Sequence, residues 1–504
     1  MTSVVPGSMD LSFPRVEDLV AYTYENLAAK GKPKAEDREL TGLEVEFFPI
    51  ETRDSAPINL RKYEVYFNQL QADFNKQGYK AQLIHEIGPD GLTYVVSSLQ
   101  VDKIGKVVTE AGLQFELATL PRGSSKDLEE LLRSGLGIIV AAAKKIGHRI
   151  EFRGHMPGWA AATEGSPTSR GFGWTTAYDE MFGNRAPLAR EFQHATAATQ
   201  DTIDVYLADI VEKVRVSKVA GPLLAALYNQ PGSRRLYMQH EVYAKLMPAQ
   251  AVPIYELWDA ESPEEVLAKI AGRLMTVPVP MLPNPRNPKI YMRVDLLSTG
   301  RLPTVGDITS RGLYGGLTEL NALNLYPLLY DEGAYRHPEK ALLEMRSADS
   351  MGDPARLAEY DARVRRLHNN PAVRAEVLEH FRFMDRDRLA RLYLAVARGN
   401  YNETIGGHTV AEMVDYIEKI SAVDNGQPSF TVSPRPTRRR SRVAATGRDS
   451  IGDRVVAAGT ELLEPAAAVD SGAAVALMAS PHAPLHIRDK VVAKGGPGWD
   501  GDGC

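Results

Sequence analysis

The chain has 504 residues, 44% hydrophobic and 24% charged, a balance that argues against collagen-like, disordered and membrane-embedded classes. Its net formal charge of −5 offers no global attraction for nucleic acid or anionic lipid, so neither is expected as a partner. With Cys504 as the only cysteine there is no internal disulfide or cysteine zinc cage, which fits a reducing cytoplasmic compartment.

From the N-terminus, no basic region precedes an apolar run, so a secretory signal is not expected. Val16–Ala29 reads as a helix and Gly42–Pro49 as a strand, followed by a second strand over Gly112–Thr119. Ser124–Lys145 is predicted helical, with Asp127, Glu129 and Glu130 suited to a helix N-terminus. Its apolar stretch Leu136–Ala143, the longest in the chain, is far short of the ~20 residues that span a bilayer. Strands are predicted at Arg149–Arg153 and Thr199–Tyr206, and Ser262-Pro263-Glu264-Glu265 carries a helix start signal. A strand at Ala341–Ala348 precedes a helical region, Asp353–Val423, broken near Asn369–Pro371 and Gly399–Gly407. Without a regular βαβ rhythm, the expected class is α+β with a mainly antiparallel sheet. One domain is expected over residues 1–425, then a basic connector and helical segment over 426–480 and a flexible Gly-rich tail over 481–504.

Chemistry concentrates on three strands. In Thr41–Pro49, Leu43, Val45 and Phe47 alternate with Glu44 and Glu46, so the two carboxylates share a face. In Glu110–Leu117, Gln114 and Glu116 lie opposite Leu113, Phe115 and Leu117, and Glu110 has their parity if no bulge intervenes. Leu343–Asp349 sets Glu344 beside Arg346. Two carboxylates ~5 Å apart at an effective dielectric of ~20 repel by about 3 kcal/mol, so a converged cluster needs protons, arginines or cations. Oxygen ligands without His or Cys select Mg²⁺ or Mn²⁺, and Mg²⁺ commonly completes its shell with substrate phosphates. For any one such strand the solvated face of a half-buried sheet is the favoured reading, and the three strands together leave both readings open.

In order along the chain, these segments resemble the glutamate–cysteine ligase family in its plant and proteobacterial branch. Gly42–Phe48 (GLEVEFF) resembles that family's G-T-E-H-E-K-F strand, and Glu110–Leu117 (EAGLQFEL) its E-P-G-G-Q-F-E-L. Gly154–Trp159 (GHMPGW) and Pro167–Arg170 (PTSR) are similar to G-M-S-P-x-W and P-x-S-R. Ala198–Val205 (ATQDTIDV) is similar to T-V-Q-V-N-L-D-F, and Leu343–Asp349 (LEMRSAD) to L-E-M-R-G-A-D. Gly447-Arg448-Asp449 matches the end of its arginine-rich loop.

The resemblance implies a glutamine-synthetase-like fold, a curved antiparallel funnel with helices outside, and an Mg²⁺–ATP-dependent ligase. A substrate γ-carboxylate would take the γ-phosphate of ATP, and an amine, in the family that of cysteine, would displace phosphate from the acyl phosphate. Carried over residue by residue, Glu44, Glu46, Glu110, Glu116, Gln200 and Glu344 are metal-ligand candidates. Glu344 and Arg346 are catalytic candidates, and Arg346 and Arg448 would meet the nucleotide. Arg235, Arg170 and Gln114 would bind the amino-acid substrates.

The chain departs from the family at Leu113 for glycine, Phe47 for lysine and Thr202 for asparagine. Ala322–Pro327 lacks the family's histidine, residues are added within Leu328–Lys340, and an aromatic after Arg235 is missing. The same chemistry on a different acid or amine is therefore an alternative. Further alternatives are an ATP-independent metal hydrolase and a non-catalytic relative. His155 and His194 read as packing or hydrogen-bonding residues, and Arg438–Arg442 as a solvated loop rather than a nucleic-acid site.

Overall fold

The computed structural model describes residues 16–31, 39–53, 55–88, 93–162, 166–279, 281–284, 287–294, 297, 301–311, 329, 334–336 and 341–422. Helix α1 (Val16–Lys30) leads into β1 (Thr41–Glu51), whose Leu43, Val45 and Phe47 are wholly buried while Glu44 and Glu46 keep partial contact with solvent. This is the predicted alternation, and it makes β1 a two-sided strand.

Helix α2 (Leu60–Lys76), capped by the Asn59 side chain on the Lys62 N–H, packs on the apolar side. A meander follows: β2 (Ala81–Ile87), β3 (Tyr94–Val101), β4 (Gly105–Thr109) and β5 (Phe115–Thr119). Helix α3 (Ser125–Lys145) starts one residue inside the predicted span, on a Ser124 cap that accepts from the Asp127 N–H. After it come β6 (His148–Glu151), α4 (Ser169–Phe182), α5 (Ala186–Ala195), β7 (Ala198–Asp204) and the apolar helix α6 (Ile210–Tyr228). Then follow α7 (Pro263–Met275), the hairpin β8 (Met281–Asn284) and β9 (Asn287–Arg293), β10 (Ala334–Arg336) and β11 (Leu342–Asp349). Four helices end the described chain: α8 (Pro354–Asn369), α9 (Pro371–His380), α10 (Arg386–Ala397) and α11 (Val410–Ser421).

The main sheet runs β10-β11-β7-β1-β5-β4-β3-β2, with β6 paired to the second half of β1, and its pairings are antiparallel. The fold is therefore mixed α+β with a many-stranded antiparallel sheet. On its apolar side Phe47 stacks on Phe115, their centroids 6.0 Å apart, and Phe115 meets Tyr63, Tyr66 and Phe67 of α2.

Three expectations need correction. The strand predicted from Gly112 begins only at Phe115, because Glu110–Leu113 form the β4–β5 turn, closed by bonds between Glu110 and both Leu113 and Gln114. The meander β2–β4 and helix α2 escaped prediction: β2 is largely exposed at the sheet edge and lacks a clean alternation. The C-terminal helical region has an additional break at Phe381–Asp385. The connector, the tail, Arg448, Arg438–Arg442 and Ala322–Pro327 lie outside the described residues.

Candidate functional site

Strand register decides which polar side chains meet. Glu46 pairs across with Glu116, Glu44 with Gln200, and Glu344 with Thr202, which also faces Gly42. Directly paired residues in an antiparallel ladder point to the same side. Glu110 stands opposite Gln114 across the β4–β5 turn, so it joins this face through the hairpin rather than through alternation along one strand. The face opposite the α2 layer thus gathers Glu44, Glu46, Glu110, Glu116, Gln200 and Glu344.

Glu46 is tightly placed. Its carboxylate accepts the Ala198 N–H at 2.6 Å and the Gln200 amide at 2.8 Å. Burial, then the charge of Glu110, pushes its pKa up to about 7 against the pull of the Ala198 N–H, Arg346 and Arg235. Glu116, only 8% exposed, is raised well above the carboxylate range by burial and then by Glu44, Glu110, Glu46 and Glu344. Arg346 places Nη1 2.9 Å from Glu344 Oε1. Among the described residues of this face, the carboxylates outnumber the guanidinium groups.

Among the described residues, no three His, Cys, Asp or Glu side chains stand as a ready-made metal cage. The donor set nonetheless has the chemistry of a hard divalent ion: oxygen donors, mutual repulsion that a cation relieves, and partial solvent access at Glu44 and Glu46.

Two residues carried over as substrate contacts have structural partners. Arg235, 3% exposed, places Nε 3.0 Å from Asp349 and donates from Nη1 to the Arg346 carbonyl. Asp349 also accepts the Gln230 N–H, and its carboxylate occupies the space a Cβ on Gly154 would need. The Gln114 amide donates to the Gln193 and Thr196 carbonyls and its oxygen accepts the Gly112 N–H, so it ties the β4–β5 turn to the end of α5. Arg170 lies in the first turn of α4.

The departures from the family divide by face. Phe47 is a core residue, Thr202 lies on the acidic face beside Glu344, and Leu113 adopts φ 61°, a conformation that suits the family's glycine. His155 pairs with Glu191 at 3.0 Å, and burial pushes His194 down to about 4 beside Thr175. Asp349 is the structural residue that sequence reasoning missed. It closes the LEMRSAD segment, but the irregularity between Met345 and Ala348 hides its direction.

The described residues thus define an antiparallel-sheet protein with one apolar and one acidic face. Set against models of protein families, the chain matches none, and no curated protein matches it.

Proposed function

We propose that the chain is an ATP-dependent carboxylate–amine ligase of the glutamate–cysteine ligase type, built on a glutamine-synthetase-like funnel and acting in the cytoplasm. The observation that carries this reading is the convergence of five carboxylates and Arg346 on one face. A carboxylate is a poor acylating agent because oxide does not leave; phosphorylation supplies a leaving group. The substrate γ-carboxylate attacks the γ-phosphorus of ATP and ADP departs; the amine then attacks the acyl carbon, losing a proton as phosphate leaves.

Glu44, Glu46, Glu110, Glu116, Gln200 and Glu344 would hold Mg²⁺ or Mn²⁺, which when bound would neutralise phosphate charge. Arg346, held by Glu344, offers a fixed cation to the transferred phosphoryl group. Glu46 is oriented by the Gln200 amide and the Ala198 N–H, one on each carboxylate oxygen.

Product mass spectrometry after incubation with Mg²⁺–ATP and mixed amino acids tests the reading. A γ-glutamyl amide is expected, with ADP release requiring acid and amine together and Glu344→Gln nearly inactive. Normal activity in Glu344→Gln would remove the site assignment. The different-substrate reading is favoured by one observation: Arg235 and Gln114 are engaged by Asp349 and the α5 end. Strict dependence on cysteine in the same assay would end that alternative.

A further inference from the structure

A cavity of ≈ 240 Å³ lies at the start of α2, walled by Leu60, Tyr63, Glu64, Val95, Pro167 and Phe172. The spacing of Leu60, Tyr63 and Glu64 sets all three on one face of the helix. Leu60 and Phe172 are 38% and 47% exposed, an uncommon state for large apolar side chains that together border one opening. The polar groups of the wall are mostly satisfied internally. The Tyr63 hydroxyl donates to the Val96 carbonyl and lies 3.1 Å from Thr109 Oγ1, and Ser166 Oγ is 3.2 Å from Thr168 Oγ1.

Among the described residues, Glu64 is the one charged residue in the lining. Burial raises the Tyr63 hydroxyl well above its ordinary pKa, and the charges of Glu86 and Glu64 add to that shift. Apolar walls under a negative potential suit an apolar body bearing an ammonium group, with Tyr63 and Phe172 as ring surfaces for the cation. The volume, below the usual range of roughly 300–1,000 Å³ for drug-sized ligands, accommodates about one ring. The cavity lies on the α2 side of the sheet, opposite the acidic face: Thr109, which meets the Tyr63 hydroxyl, pairs with Phe115, and the next residue, Glu110, turns the other way.

We infer that this cavity is a binding subsite for a small aralkyl amine, its ring between Leu60 and Phe172 and its ammonium toward Glu64. This binding is independent of the ligase reading, whose site lies on the other face of the sheet.

The test is calorimetric titration of phenethylamine into the full chain without ATP, for wild type, Val95→Trp, Phe172→Ala and Glu64→Gln, with folding checked by circular dichroism. Binding is expected in wild type and is weakened about tenfold or more in each variant, the scale of one lost contact. Neutral 2-phenylethanol is expected to bind about tenfold more weakly than the amine. No binding by wild type, equal binding by folded variants, or equal affinity for the alcohol would overturn the assignment.

Discussion

Glu46 accepts hydrogen bonds from the Ala198 N–H and the Gln200 amide, yet burial and the charge of Glu110 still push its pKa to about 7. The folded state therefore holds this proton more tightly than an unfolded chain with a pKa near 4.5. Its stabilising contribution is complete below 4.5 and is lost as pH rises through about 7, and Glu116 shifts in the same direction. Thermal denaturation without divalent ions should show a falling midpoint across that window, flattened in Glu46→Gln. Mg²⁺ should raise the midpoint more above pH 7 than below 4.5, because only the ionised carboxylate holds the ion. A midpoint that rises with pH across the window, in wild type but not in Glu46→Gln, would contradict the description of this side chain.

Among the elements, β11 joins the acidic face to the core through Asp349, which holds Arg235 and the Gln230 N–H. Removing one partner of a buried ion pair leaves an uncompensated charge, at a cost of about 3–5 kcal/mol. Asp349→Ala should therefore lose about that much stability in denaturant unfolding. A loss near zero would free Arg235 for a substrate role. This pair was not legible in the sequence, because its members are 114 residues apart and β11 is irregular before Asp349. By contrast, β1 was read directly: Leu43, Val45 and Phe47 must be buried, so Glu44 and Glu46 fall on the opposite side. Glu110 lies between these cases. Its parity was conditional on an unbroken strand, and that condition fails: a turn with Leu113 at positive φ carries it to the face instead. The edge strand β2 was missed because exposure on both sides erases the period-2 signal.

At the scale of the whole molecule, the antiparallel sheet separates two jobs. The side packed under α2 contributes apolar burial, while the other concentrates carboxylates drawn from β1, β5, β11 and the β4–β5 turn. Self-repulsion on that scale is relieved by protons, as at Glu46 and Glu116, and under the proposed reading by a divalent ion. No helix among the described residues is long and apolar enough to cross a membrane. The most direct measurement is uptake of Mn²⁺ by the full chain with ATP, followed by loss of the free-ion paramagnetic resonance signal. Wild type should remove Mn²⁺ from solution, while folded Glu116→Gln and Glu344→Gln should take up markedly less. Undiminished uptake by both variants, or none by wild type, would contradict the acidic face as a metal–nucleotide centre.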